Sequence, residues 1–266
     1  MIFASSVVSG TFITIIVIAT APVLKNYLIT YRQLLRLDTL SHPLLLRLQQ
    51  EAPSTFQHSL HVANLGHKAA KAIGADAFLT RIGGYYHDVG KMSDPKFFIE
   101  NRSEQDNLDH SDSINTKVKK IHAHIKNGVK LAREYNLPQE VIKFIPEHHG
   151  TMLAVSLYNE AMNAKLHVFK KDFRYLGPKP LSKETAIIMI ADGIESSVRA
   201  LPETSKTKIT EAVNSIIDNR LADKQLELSG LTQNDIKKIR ASLIEGASIV
   251  HHPRIKYPEL IKNDKS

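Results

Sequence analysis

The run Tyr85-Tyr86-His87-Asp88-Val89-Gly90-Lys91 sets an imidazole directly beside a carboxylate. Near a helix end, such a pair can give one metal a nitrogen ligand while the carboxylate bridges to a second. The dipeptide alone is weak, since adjacent His and Asp arise by chance, but the glycine and lysine behind it strengthen the signal. His58 lies 29 residues earlier, in Thr55-Phe56-Gln57-His58-Ser59. His148-His149 closes a further expected helix, where Pro146 removes a backbone donor and can distort the last turn. Asp192 interrupts the apolar run Ile188-Met189-Ile190-Ala191, and burying its charge is costly unless it is paired or bound to a cation. Singly, each has an ordinary explanation: a lone histidine is more often hydrogen-bonded or on the surface, and Asp192 could pair with a lysine. Together, imidazoles and carboxylates on several helices suit a two-metal site in a helical bundle, with ligands appropriate to Fe, Mn or Zn.

Composition narrows the chemistry further. The 266 residues include 13 histidines and no cysteine, so thiol nucleophiles, thiolate zinc sites, disulfides and cysteine-ligated iron–sulfur clusters are excluded. Lys and Arg number 35 against 27 Asp and Glu, a formal charge of +8 that suits an anionic partner. Much of it sits in pairs such as Lys119-Lys120, Lys170-Lys171 and Lys237-Lys238, which read as solvated helix faces. Without a nucleic-acid module or basic–aromatic alternation, no nucleic-acid polymer is expected as a partner. An apolar share of 42% rules out disorder and supports a sizeable core.

The elements that must position these side chains read as helices almost throughout, an all-α protein without a convincing period-2 strand. Ser54 can cap a helix running to about Ile73, with Leu60, Val62, Ala63 and Leu65 on its apolar side. Asp76 can start the next, ending near Asp88. A third is expected over about 116–135. Pro138 suits the first position of a helix running to His149, with Gly150 as its stop. Ser182 opens a helix through Ile187, Ile190 and Ile194. Two more are expected at about 203–222 and 233–250, the last with Thr232 and Asp235 as a capping box.

The N-terminal segment differs from this body. From Ile2 to Leu24 no side chain is charged, and twenty-odd residues at about 1.5 Å each span a hydrocarbon core of about 30 Å. A cleaved signal peptide would carry basic residues before the apolar run, and none precede it; a buried helix is the plainer alternative. Lys25, Arg32 and Arg36 follow the span, which predicts a single-pass anchor in the cell membrane, N-terminus outside and body in the cytoplasm. Residues 25–41 read as an amphipathic connector with Leu34, Leu35, Leu37 and Leu40.

The order His58, His87-Asp88, Asp192 resembles the HD-domain metal phosphohydrolases. More narrowly, His42-Pro43-Leu44-Leu45, Glu51-Ala52-Pro53, His87-Asp88-Val89-Gly90-Lys91-Met92, Phe97-Phe98-Ile99-Glu100-Asn101, Glu147-His148-His149-Gly150-Thr151 and Asp172-Phe173-Arg174-Tyr175 resemble the PgpH-type seven-transmembrane HD phosphodiesterases. Gly177-Pro178-Lys179-Pro180 and His252-Pro253-Arg254-Ile255 do so too, and the likeness covers about residues 22–260. It implies an HD-domain helical bundle over 42–260, preceded by the transmembrane helix at 1–24 and followed by a tail at 261–266. It also implies hydrolysis of cyclic di-AMP to linear pApA at a site holding two divalent metal ions, Fe or Mn.

Carried over residue by residue, the resemblance makes His58, His87, Asp88 and Asp192 ligands of one metal. Asp88 bridges, and His124, His148 and His149 complete the second. His124 is preferred to His122 because His124-Ile125-Lys126-Asn127-Gly128 resembles the family segment; a two-residue step turns a helix by about 200°, so the pair cannot share one role. His61, His67 and His110 read as structural or surface residues, and His122 and His251 are unassigned. Lys91 is the candidate for a phosphate contact beside the catalytic His87 and Asp88, with Arg199 on the Asp192 helix a weaker one.

The chain also departs from the family pattern. One membrane helix is expected where the family has seven, and residues 102–117 are more polar than the family's segment there. Two metals about 3.5–4 Å apart can trap a bridging water, lower its pKa and present hydroxide for in-line attack. Alternatives are an HD hydrolase of another nucleotide and a membrane-anchored, non-catalytic cyclic-dinucleotide sensor. The cyclic di-GMP enzymes of the HD-GYP type fit less well, because Thr151-Met152-Leu153-Ala154 follows His148-His149-Gly150. Expected partners are the cyclic dinucleotide and the membrane, with a homo-dimer left open.

Overall fold

The computed structural model describes residues 20–21, 25, 28, 31–102 and 112–250. Among these residues there is no strand; Leu153 and Arg174 form an isolated antiparallel bridge. The fold is all-helical. The apolar run 2–24 lies outside the described residues except for Thr20 and Ala21, as do His110, His251 and the 103–111 part of the polar segment. Among the described residues, no helix is long and apolar enough to cross a membrane.

Residues 31–37 are helical and lay Leu34 and Leu37 into the body while Leu35 and Leu40 stay exposed. Asp38 then takes the Arg81 guanidinium, Nε donating at 2.8 Å. Helices α1 (Pro43–Glu51) and α2 (Pro53–Ile73) follow, each with proline at its first position, where the missing N–H has no intrahelical partner to lose. Proline rather than Ser54 therefore opens α2, with Ala52 at the cap. Asp76 caps α3 (Ala77–Tyr86), accepting from the Leu79 N–H at 2.9 Å. That helix stops two residues short of Asp88, which instead opens a 3₁₀ turn, Val89–Ser93. Ser113 caps α4 (Ile114–Glu134).

The single helix expected from Pro138 to His149 is two short ones, α5 (Gln139–Ile142) and α6 (Phe144–Glu147), with Pro138 as the cap. The physical reason is Pro146. It cannot donate to the Ile142 carbonyl and its ring crowds that oxygen, so the ladder breaks between them. A helix not expected from the sequence, α7 (Val155–Asn163), precedes α8 (Lys183–Arg199), whose capping box pairs Ser182 with Thr185. The chain then forms α9 (Lys206–Ala222) and α10 (Gln233–Val250). At the start of α10 the Thr232 N–H donates to Asp235 at 3.0 Å and the Asp235 N–H to Thr232 at 3.1 Å.

Helix α2 is the spine. One side packs Val62 and Leu65 with Ile187, Ile190, Ile194, Val213, Ile239 and Leu243 of α8–α10. The other packs Phe56 and Ala63 with Leu44, Leu48, Ile82, Tyr86, Val141 and Ile145. Each fully buried aliphatic contributes about 1.5–3 kcal/mol of transfer free energy, so the first layer fixes α2 against α8 and the second fixes it against α1, α3, α5 and α6. Glycine sets one further approach. A Cβ on Gly90 would overlap the His124 carbonyl oxygen and the Gly128 nitrogen, so only glycine lets the turn after Asp88 lie against α4.

Candidate metal centre

All seven residues sit on helices or just beyond helix ends that this packing fixes. His58 lies on α2, His124 on α4 and Asp192 on α8. His87 and Asp88 follow α3, while His148 and His149 follow α6. The helix break at Lys143 is what turns the last pair inward. The structure brings all of them into two groups, His58, His87, Asp88 and Asp192, and Asp88, His124, His148 and His149. Within each group one ligand atom per residue lies within 4.8 Å of the others, and Asp88 belongs to both.

The two oxygens of Asp88 face different halves. Oδ2 lies 3.2 Å from His87 Nε2 and 3.7 Å from His58 Nε2. Oδ1 lies 3.5 Å from His148 Nε2 and 3.7 Å from His124 Nε2. On the far side of the first group, Asp192 Oδ1 is 3.1 Å from His58 Nε2. Such a division is what a bridging carboxylate requires.

Tautomers follow from the outer contacts. His87 Nδ1 donates to the Gly84 carbonyl at 2.8 Å, His148 Nδ1 to that of Ile145 at 2.8 Å, and His124 Nδ1 to that of Ile121 at 2.5 Å. A carbonyl only accepts, so Nδ1 carries the proton and Nε2 keeps its lone pair. His58 Nδ1 is held the same way by the buried Glu195 carboxylate. The inward atoms, Nε2 of His58, His87, His124 and His148, Nδ1 of His149 and Oδ1 of Asp88, are buried without a hydrogen-bond partner. Buried polar atoms are rarely left so, and outer-contact-fixed imidazoles of this kind are the usual setting of metal ligands. The donor set fits two divalent cations that accept nitrogen and oxygen.

The electrostatics agree with that fit. Burial pushes His124 down to about 3, against the pull of Asp88, and pushes His149 well down with help from His148. Both imidazoles are thus neutral, the ligating form. Burial alone would raise Asp88, but Lys91, His87 and His148 outweigh it and hold the carboxyl well below the carboxylate range. Asp192 is likewise held low against burial, chiefly by His58. His58 is the exception: burial works to lower it, yet Asp192 and Glu195 outweigh that and raise it to about 9. A metal at Nε2 would take the place of that proton, since only the neutral imidazole ligates.

Of the other residues singled out in the sequence, Lys91 places Nζ 2.8 Å from Asp88 Oδ2 and 2.7 Å from Glu100 Oε1. Arg199 lies one turn beyond Glu195, Nη1 at 3.7 Å from its Oε1, and reaches the cluster only through that carboxylate. His67 Nδ1 donates to the Ala77 carbonyl at 3.0 Å, and His61 Nδ1 lies 3.5 Å from Glu195 Oε1. His122 faces a groove of about 130 Å³ beside the cluster, walled by Ile125, Lys126, Pro146, Tyr175 and Leu176. Sequence reasoning missed Glu195, Glu100 and the Tyr175 ring, which stacks on His149 with centroids 4.1 Å apart. Glu195 carried a signal: it follows Asp192 by three residues, which places both on one face of α8.

The HD domain family matches residues 55–197, just over half of the chain and the span from His58 through Asp192. The chain belongs to the HD-domain family. Within that family it belongs with the PgpH proteins. It is 36% identical over 263 residues to the cyclic-di-AMP phosphodiesterase PgpH of Bacillus subtilis (strain 168), covering 97% of this chain and 37% of that one. A crystal structure of the Listeria monocytogenes phosphodiesterase PgpH HD domain superposes with a TM-score of 0.76 at 38% identity, over 80% of this chain and all of that one. The same domain in complex with cyclic di-AMP gives 0.75 at 39% identity, over 81% of this HD-domain chain and all of that one. The chain spans about a third of the length of the curated relatives it matches, 37% and 32% of two PgpH proteins.

Proposed function

We propose that this chain is a dinuclear metal-dependent phosphodiesterase that hydrolyses cyclic di-AMP to linear pApA. The observation that carries the reading is the set of buried, unpartnered nitrogen and oxygen atoms arranged in two groups about Asp88. The substrate comes from the relatives: PgpH proteins are named cyclic-di-AMP phosphodiesterases, and one related HD domain has been solved with that dinucleotide.

In this reading His58, His87, Asp88 and Asp192 hold one cation, and Asp88, His124, His148 and His149 hold the other. When bound, divalent Fe or Mn acidifies a water and takes up charge developing on the phosphoryl oxygens. The protein's own part is orientation. Backbone carbonyls fix three imidazoles and Glu195 a fourth, Lys91 and the neighbouring histidines keep Asp88 ionised, and the apolar groove at Ile125, Pro146 and Leu176 offers a wall for a planar base. Lys91 retains a place beside the reacting phosphate because its Nζ lies at Asp88; Arg199 is retained as an outer contact.

The division into a membrane helix at 1–24, a connector at 25–41, an HD domain at 42–260 and a tail at 261–266 belongs to the same proposal. Lys25, Arg32 and Arg36 are exposed and follow the uncharged run, which supports a cytoplasmic body. A reporter fused after Ser266 that is active only outside the cytoplasm refutes that topology.

The reaction is tested with the full chain, loaded with Mn²⁺ or with reduced Fe²⁺, against a panel of cyclic dinucleotides. Turnover of cyclic di-AMP to pApA, with oxygen from labelled water in the new 5′-phosphate, is expected. Cleavage of other dinucleotides alone leaves the hydrolase and overturns the substrate. Tight binding of cyclic di-AMP without hydrolysis under either metal makes the chain a sensor instead.

A further inference from the structure

Arg220 is an anomaly that the ligand set does not explain. It lies in the last turn of α9, partly buried, with Nε shut off from solvent and without a hydrogen-bond partner. No ion pair joins its guanidinium to a carboxylate among the described residues. A last-turn arginine can complement a helix dipole from solvent, but that does not account for an enclosed Nε. Enclosed charges are normally paired.

The guanidinium is also in a telling place. A Cβ on Gly193 would come 2.9 Å from Arg220 Nη2, so the guanidinium lies against α8 at the residue that follows Asp192. Its electrostatic neighbours are Asp192, Asp223 and the Tyr175 phenol, and Tyr175 in turn feels Asp88 and Asp192. Each of these carboxylates is engaged elsewhere. Asp223 takes both nitrogens of Arg174, at 2.9 and 2.8 Å, and Gln225 at 3.0 Å. Asp192 faces His58, and Glu195 is taken by His58, His61 and Arg199. Among the described residues, this cation beside the metal-ligand cluster is thus paired with no carboxylate.

We propose that Arg220 is the phosphate-binding arm of the site, its guanidinium donating to a non-bridging phosphoryl oxygen of the substrate. The planar fork suits two oxygens of one phosphate at once. This adds a phosphate contact to the candidates Lys91 and Arg199. It deepens the phosphodiesterase reading and rests on it for the identity of the substrate, but not for the anion.

The test is direct binding of inorganic phosphate to the full chain loaded with Mn²⁺, followed by calorimetry, with metal content measured on the same samples. Arg220→Gln should leave the metal content unchanged and weaken phosphate about 10- to 100-fold, the loss of charge-assisted hydrogen bonds. Arg220→Ala should bind phosphate as weakly, and added guanidinium ion should restore part of the affinity, which a structural arginine would not allow. Unchanged phosphate affinity in Arg220→Gln, loss of metal from both variants, or no response to guanidinium overturns the assignment. If wild type binds phosphate through Arg220 yet cleaves no cyclic dinucleotide, the arm stands and the functional reading falls. If cyclic di-AMP is cleaved and Arg220→Gln binds phosphate like wild type, the reverse holds.

Discussion

The Nζ of Lys91 lies 2.8 Å from Oδ2 of Asp88, the same oxygen that faces His58 and His87, and 2.7 Å from Oε1 of Glu100. All three side chains are largely enclosed, at 13%, 1% and 8% exposure. Removing the lysine leaves two carboxylates without their cation in a poorly hydrated place. Lys91→Met should therefore lower the unfolding free energy by about 3 kcal/mol. Adding Glu100→Gln should recover part of that loss, because the second change removes one stranded charge. Urea unfolding of the two single variants and the double variant measures the coupling. Strictly additive losses would show that Lys91 and Glu100 do not act as a pair.

Asp88 is the residue shared by the two groups, and His58 belongs to one of them. Asp88→Ala should therefore strip more metal than His58→Ala, with the first variant approaching none and the second retaining about half the wild-type content. Elemental analysis of protein purified without chelator reads this directly. Two metals still bound to Asp88→Ala would sink the bridging assignment.

How legible the site was depended on how local its signals are. His87-Asp88 is a dipeptide, and the residues around His124 and His148-His149 form short motifs, so a resemblance could carry them before any packing was known. The groups they enter are a matter of which helix faces meet, and the structure brings the same two sets together. Glu195 reaches His58 across 137 residues of chain, and Arg220 reaches the Asp192 helix from a different one. The three-residue step from Asp192 puts Glu195 on the same face of α8 but does not name its partner, and no local pattern marks Arg220. Helix starts with a polar cap, at Asp76, Ser182 and Thr232, were readable because the cap and its partner lie within one turn. The helix from Pro138 was misjudged because Pro138 at a start and Pro146 inside give opposite signals, and the interior proline decides.

Asp235 gives a pH test remote from the metals. Its carboxylate takes the Thr232 N–H and the Lys183 ammonium, and these hold it down to about 2 from an ordinary 3.8. A depressed carboxyl stabilises the fold above its unfolded value and loses that contribution as pH falls through the folded value. The margin of wild type over Asp235→Asn should be steady above about pH 4 and close between pH 4 and 2. Thermal melts across that range read it, and a margin independent of pH would show that the ionised form contributes nothing.

Glu195 reaches no group in the ligand set except His58 and also meets His61 and Arg199, so its effect on the metals must pass through the His58 ring. Its carboxylate accepts from Nδ1 and leaves Nε2 turned toward Asp88 and Asp192. Glu195→Gln keeps the shape and can still accept through its amide oxygen, but loses the charge that makes the imidazole a stronger donor. Glu195→Ala loses both. Metal affinity should fall about 10- to 100-fold in the alanine variant, the usual loss for an outer partner of a ligating histidine. The glutamine variant should fall less. The loss should be confined to one of the two metals, because His124, His148 and His149 have no contact with Glu195. Competition with a chelator, read as two separate binding steps, distinguishes the outcomes. If both steps weaken equally, Glu195 acts on the helix packing as a whole and the ring-orienting role is wrong.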